Sequence, residues 1–225
     1  MPRRVFFSFH YDDVLRANVV RNSDIVSRQY ERAARFHDKS LWEEAKKQGD
    51  LAIKRMINGA LEGSSVTCVL IGQQTWARPW VRYELLKSFE RGNGIFGVQI
   101  HNVGMKRAST LLTGGLLNPR RTGATLLTGG TGLQTEPSPG PNPLDYLGFT
   151  VDYNRRRLTL YDHLNGAWRT NPHVEGMSLN AVQYQLGGAD RGKFTQLFPV
   201  YSWKSGNGYQ NFPTWVEAAA QHACR

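Results

Sequence analysis

The order of elements along the chain predicts an α/β protein: a parallel sheet flanked by helices. Three observations carry that reading. Runs rich in β-branched and aromatic residues recur at Arg4–Phe9, Val66–Ile71 and Gly94–Ile100. Stretches of helical periodicity lie between them, clearest from Asp50 to Leu61. The first hundred residues therefore alternate β-α-β-α-β-α-β, and parallel strands need crossovers of that kind.

The first strand, Arg4–Phe9, ends in the turn-like His10-Tyr11-Asp12-Asp13, where Asp12 or Asp13 can cap a short helix over Val14–Arg21. Ala33–His37 is a weak second strand with Asp38 directly behind it. Lys39–Gly49 reads as a loop with one helical turn at Leu41–Ala45. The helix opened by Asp50 carries Leu51, Ile53, Met56, Ile57, Ala60 and Leu61, and closes at Gly63. Val66–Ile71 stops at Gly72. A polar loop then leads to Pro79, a favoured first helical residue because its missing N–H would be unpaired there anyway. That helix ends at Gly92, and the fourth strand ends in His101-Asn102.

Between Gly104 and Pro143 the composition shifts to Gly, Thr, Leu and Pro. The hexamer TLLTGG at Thr110–Gly115 recurs at Thr125–Gly130. Two copies of so short a unit do not build a solenoid, and no Lys-Ser/Thr follows the glycines as a phosphate loop requires. Residues 104–143 read as a low-complexity insertion, mobile or a small hairpin-like excursion. Beyond it, Phe149–Tyr153 and Arg157–Tyr161 pair around a turn at Asn154, giving a C-terminal region that contains a β-hairpin. Leu197–Trp203 is a further strand, and Phe212–Trp215 opens a final helix. Residues 165–195 show no regular pattern. The chain, 1–225, is expected to form a single domain carrying the insertion.

At 225 residues, 40% hydrophobic and 20% charged, the composition is that of a globular chain. No apolar run approaches the roughly 20 residues of a membrane span. Met1-Pro2-Arg3-Arg4 leads into no signal-peptide core, so a cytoplasmic location is expected. Cys68 and Cys224 have neither metal-ligand spacing nor the pattern of a disulfide framework. The net charge of +10 suits nucleic acid, an anionic surface or a phosphorylated small molecule. The basic residues are scattered, with one run at Arg155–Arg157 and no aromatic-interleaved patch, which argues against nucleic acid as the main partner.

Ligands of an open parallel sheet bind beyond the carboxyl ends of its strands. That edge gathers Ser8–Asp12, Asp38, Gly72–Glu84 and His101-Asn102. Within it, Arg4–Asp12 resembles the first strand and loop of TIR (Toll/interleukin-1 receptor) domains. Arg16–Asn22, Ser40–Asp50 and Ser65–Gly72 are similar to the prokaryotic TIR-like family that includes the ThsB proteins of Thoeris anti-phage defence. Trp80-Val81-Arg82-Tyr83-Glu84 matches the tryptophan-x-x-x-glutamate pattern of TIR domains that act on NAD, and Arg91–Asn102 continues the match. The likeness covers residues 3–102, and Pro199–Ala220 more loosely; it does not cover the insertion.

The resemblance implies a flavodoxin-like TIR fold and an enzyme of NAD glycohydrolase or ADP-ribosyl cyclase type. Such an enzyme releases an ADP-ribose derivative that activates a partner effector. NAD is then the substrate, with no separate cofactor and no metal. Self-association through the loop after the second strand is implied too. Cleaving the nicotinamide–ribose bond develops oxocarbenium character on the ribose, and nicotinamide leaves neutral from a cationic precursor. One carboxylate therefore suffices to stabilise the charge, without a strong general acid. Glu84, four residues after Trp80 on one helix face, is the catalytic candidate. Trp76 and Trp80 can stack on nicotinamide or adenine. Ser8, Phe9, His10 and Tyr11 sit where a nucleotide would follow the first strand, Asp38 lies at the ligand edge, and Trp42 belongs to the family's mobile loop. Arg16 and Arg21 could neutralise a diphosphate but read better as a solvated helix face. Two rivals stand beside the enzyme: a non-catalytic TIR-like protein–protein interaction module, and a nucleoside-processing enzyme on the same general fold.

Overall fold

The structure, a computed structural model, describes residues 3–23, 26, 31–32, 39–104, 138–171, 174 and 177–225. In chain order its first part contains β1 (Arg4–Phe9), α1 (Val14–Arg21), β2 (Glu31–Arg32), α2 (Lys39–Gln48), α3 (Asp50–Leu61), β3 (Val66–Ile71), α4 (Pro79–Glu90) and β4 (Gly94–Gln99). The second part contains β5 (Leu147–Asp152), β6 (Arg157–Leu164), β7 (Ala167–Thr170), β8 (Met177–Ser178), β9 (Arg191–Lys193), β10 (Val200–Ser202) and α5 (Gly208–His222).

Strands β10-β4-β3-β1-β2 form one sheet in that order, and every pairing is parallel. With β10 as its fifth strand, the order is that of flavodoxin-like folds. The expected fold class is therefore present. A second, antiparallel sheet, β7-β6-β5-β9 with β8 against β6, is built from the chain between β4 and β10.

Side-chain alternation along β1 sets the layers. Val5, Phe7 and Phe9 pack with α1 (Ala17, Val20) and α5 (Phe212, Val216) on one face. Phe6 points the other way, to Ile53, Ile57 and Leu61 of α3 and Tyr83 of α4. Ser8 shares the Phe6 face by the same alternation. On that side α4 also meets the second sheet, where Leu85 and Phe89 pack with Leu147, Phe149 and Leu160. A helix covered on nearly all sides is a core element, and here it carries two buried charged residues, Arg82 and Glu84.

Several sequence expectations shift. Lys39–Gly49 is largely helix, not a loop with one turn: Ala, Lys, Glu and Gln are good helix formers, and Lys46 and Gln48 bond back to Glu43 and Glu44 along α2. The second strand's described residues are Glu31–Arg32; the expected Ala33–His37, with Asp38, lies outside the described residues, as do both TLLTGG copies. The hairpin is β5–β6, as read. Residues 165–195, which looked irregular, contain β7, β8 and β9. The last strand is confined to Val200–Ser202, and α5 starts at Gly208, ahead of Phe212, where a Cβ would lie 2.3 Å from the Trp203 ring. Among the described residues no helix is long and apolar enough to cross a membrane.

Candidate active site

A cavity of about 350 Å³ opens at the carboxyl ends of β1 and β3, the point where this strand order reverses direction and ligands of such sheets bind. Phe9, His10, Tyr11 and Asp12 enter it from the end of β1. Arg78, Trp80 and Glu84 enter from the start of α4, and Trp42, Glu43 and Lys46 from α2.

Glu84 is 2% exposed. Ser8, turned toward α4 by its place in β1, donates its hydroxyl to Glu84 Oε2 at 2.5 Å. Behind it, Ser88 Oγ donates to the Glu84 carbonyl at 2.7 Å, and Thr67 Oγ1 donates to Ser88 Oγ at 2.8 Å. Burial pushes the Glu84 carboxyl up from 4.5 to about 8, and the Ser8 hydroxyl bond pulls the other way. The carboxyl is therefore largely protonated at neutral pH until a positive charge comes beside it.

The rim is mixed. Trp80 lies edge-on to Tyr83, with ring centroids 5.9 Å apart. Burial, and then the charge of Arg78, lower the His10 pKa, so its imidazole is neutral at pH 7. Arg78 Nη2 donates to Gln74 Oε1 at 2.7 Å and lies 3.9 Å from Asp12 Oδ2. Behind the β1 loop, Asp13 is 5% exposed and sits against Gly72, where a Cβ would come within 1.9 Å of its carboxylate. Only glycine fits there.

The structure thus brings Phe9, His10, Tyr11, Trp42, Trp80 and Glu84 together around one cavity. Ser8 does not line it and reaches it only through Glu84. Trp76 is not at the cavity: its ring stacks on Tyr146, with centroids 4.9 Å apart, on the side of the second sheet. Asp38 lies outside the described residues. Arg16 is held 3.3 Å from Asp13, and the Arg21 guanidinium lies 5.6 Å from the Phe9 ring centroid. His101 and Asn102, gathered to this edge by the strand rule, do not line the cavity. Among the described residues there is no cluster of three or more His, Cys, Asp or Glu able to hold a metal ion.

Arg78 and Lys46, the cations at the cavity, were missed by the sequence reading. For Arg78 a signal existed: it stands immediately before the helix-opening proline, at the ligand edge of the sheet. Lys46 carries no such signal, because Lys39–Gly49 reads in the sequence as a loop with one helical turn rather than as the helix α2.

A parallel sheet of flavodoxin-like order, with a glutamate and two tryptophans at its switch-point cavity, defines a TIR-like domain. The family model for "Thoeris protein ThsB, TIR-like domain" matches residues 6–104. A protein of Bacillus cereus (strain MSX-D12), named "Putative cyclic ADP-D-ribose synthase ThsB1", is 40% identical over 221 residues, spanning 96% of this chain and 100% of its own length. The chain belongs to the ThsB family of TIR-like proteins.

Proposed function

We propose that this protein is an NAD-cleaving enzyme of glycohydrolase or ADP-ribosyl cyclase type, whose ADP-ribose-derived product activates a partner effector in anti-phage defence. One observation carries the reading: of the two glutamates at the switch-point cavity, Glu43 pairs with Lys46, whereas Glu84 is buried and has no cationic partner among the described residues. The name of the Bacillus relative points the same way.

Cationic nicotinamide beside Glu84 favours the carboxylate, so the side chain ionises as substrate enters. The C1′–N bond then breaks with its electron pair moving to nicotinamide, which leaves neutral. The Glu84 carboxylate stabilises the oxocarbenium charge left on the ribose. Trp42 and Trp80 offer stacking faces, and Arg78 and Lys46 face the diphosphate. Attack at C1′ by water gives ADP-ribose and a proton; attack by an adenine nitrogen gives a cyclic product. Self-association through the segment after β2 belongs to the same reading.

The experiment is release of nicotinamide from NAD by the purified chain, with and without phage lysate. Glu84→Gln is expected to cut the rate by about 10²–10³-fold, the loss typical of removing one transition-state charge stabiliser. Undiminished turnover in that variant would reject Glu84; no nicotinamide release under any trigger would reject the reaction.

A further inference from the structure

The middle residue of the Trp80–Glu84 motif, Arg82, does not face the cavity. It is 4% exposed, and its Nε lies 2.8 Å from Oδ1 of Asp162 on β6, itself 6% exposed. Its Nη1 donates to the Trp76 carbonyl at 2.8 Å. Asp162 thus fixes a guanidinium, and the guanidinium fixes the backbone of the loop between β3 and α4. The next residues of that loop and of α4, Arg78 and Trp80, are cavity residues.

A buried ion pair is a poor source of stability, because desolvation offsets most of its attraction, and apolar replacements are often neutral or better. The core around it already packs α4 on the second sheet through Leu85, Phe89 and Phe149. What an apolar pair cannot supply is a donor for the Trp76 carbonyl. We propose that Asp162 is a positioning residue for the nucleotide site: from the second sheet it holds Arg82, and through Arg82 the loop that presents Arg78 and Trp80 to the ligand. The second sheet then belongs to the site although no residue of it lines the cavity.

This inference rests on the NAD reading, so its test is chosen to separate the two. ADP-ribose, which needs no turnover, is titrated calorimetrically into the full chain, with the folded fraction of each variant set by circular dichroism. Asp162→Asn is expected to weaken binding about ten- to a hundredfold, the scale on which small misplacements of a site register. The double variant Arg82→Met/Asp162→Leu is expected to recover thermal stability but not affinity. That split is the signature of positioning; a purely structural pair would recover both. If the native chain neither binds ADP-ribose nor releases nicotinamide from NAD, the NAD reading fails; if it releases nicotinamide without measurable ADP-ribose binding, KM for NAD is compared across the same variants in place of Kd. If the native chain binds and both folded variants bind with the native Kd, the role of Asp162 is overturned.

Discussion

Helix α4 has a buried acid near each of its flanks, and the two are provisioned differently. Asp162 reaches it from the second sheet and has the Arg82 guanidinium; Glu84 points to β1 and, among the described residues, has only the Ser8 hydroxyl. Burial raises both carboxyls, but Arg82 opposes it at Asp162, whereas a neutral hydroxyl is all that opposes it at Glu84. The difference separates a holding role from a reacting one. An acid already paired with a cation has less to gain from a second. An acid left unpaired in a low-dielectric pocket gains most when a cationic substrate arrives.

The sharpest way to break the comparison is pH-dependent stability. The Glu84 pKa is raised from 4.5 to about 8 in the folded state. Below pH 4.5 both states hold the proton. Between pH 4.5 and 8 the unfolded chain loses it while the folded chain keeps it, so stability falls as pH rises through this window, by up to about 5 kcal/mol. Glu84→Gln removes that slope: melting temperatures taken from pH 5 to 8.5 should converge at the acid end and favour the variant at the basic end. Asp162→Asn should do the opposite at pH 8, losing stability because Arg82 is left buried and unpaired. Parallel pH profiles for native chain and Glu84→Gln would refute the assigned ionisation.

A smaller effect comes from Ser8. Its hydroxyl favours the Glu84 carboxylate, so Ser8→Ala should push that carboxyl further up. For the free enzyme, kcat/KM for nicotinamide release should rise with pH through about 8. In Ser8→Ala the rise should move to higher pH by about one to two pH units, the scale of a lost hydrogen bond to a charged group. An unmoved limb would leave Ser8 as packing alone.

How much of this was legible in the sequence follows from the range of each signal. The strands β1, β3 and β4 are continuous apolar runs, and α3 keeps a helical period, so local pattern sufficed. The strand-end rule then placed His10, Tyr11 and Trp80 at one cavity, and Glu84 stood out through its tryptophan-x-x-x-glutamate spacing. The second sheet was only partly visible, because strands as short as Met177–Ser178 and Arg191–Lys193 cannot display alternation. The Arg82–Asp162 pair spans 80 positions, and nothing local marks either residue as buried. The strand-end rule groups Ser8 with Phe9, His10 and Tyr11 beside the nucleotide, yet Ser8 lies within β1 and alternation turns it to α4. The strand-end rule locates an edge and leaves each side chain's direction to the packing.

Trp76 and Trp80 carry that limit to its smallest expected effect. Both lie on the loop–helix stretch and both read as stacking residues, but only Trp80 lines the cavity, while Trp76 stacks on Tyr146. Tyr146 in turn meets His163, with ring centroids 5.8 Å apart, so Trp76 belongs to the seam with the second sheet. Trp80→Ala should raise KM for NAD about tenfold and also lose about 1 kcal/mol for the edge-on pair with Tyr83. Trp76→Ala should lose stability alone, about 1 kcal/mol for the stacked pair, while KM stays near native. Steady-state kinetics and thermal melts on the two variants decide it. If Trp76→Ala raised KM as strongly as Trp80→Ala without loss of stability, the cavity would have to extend past Arg78 to the second sheet.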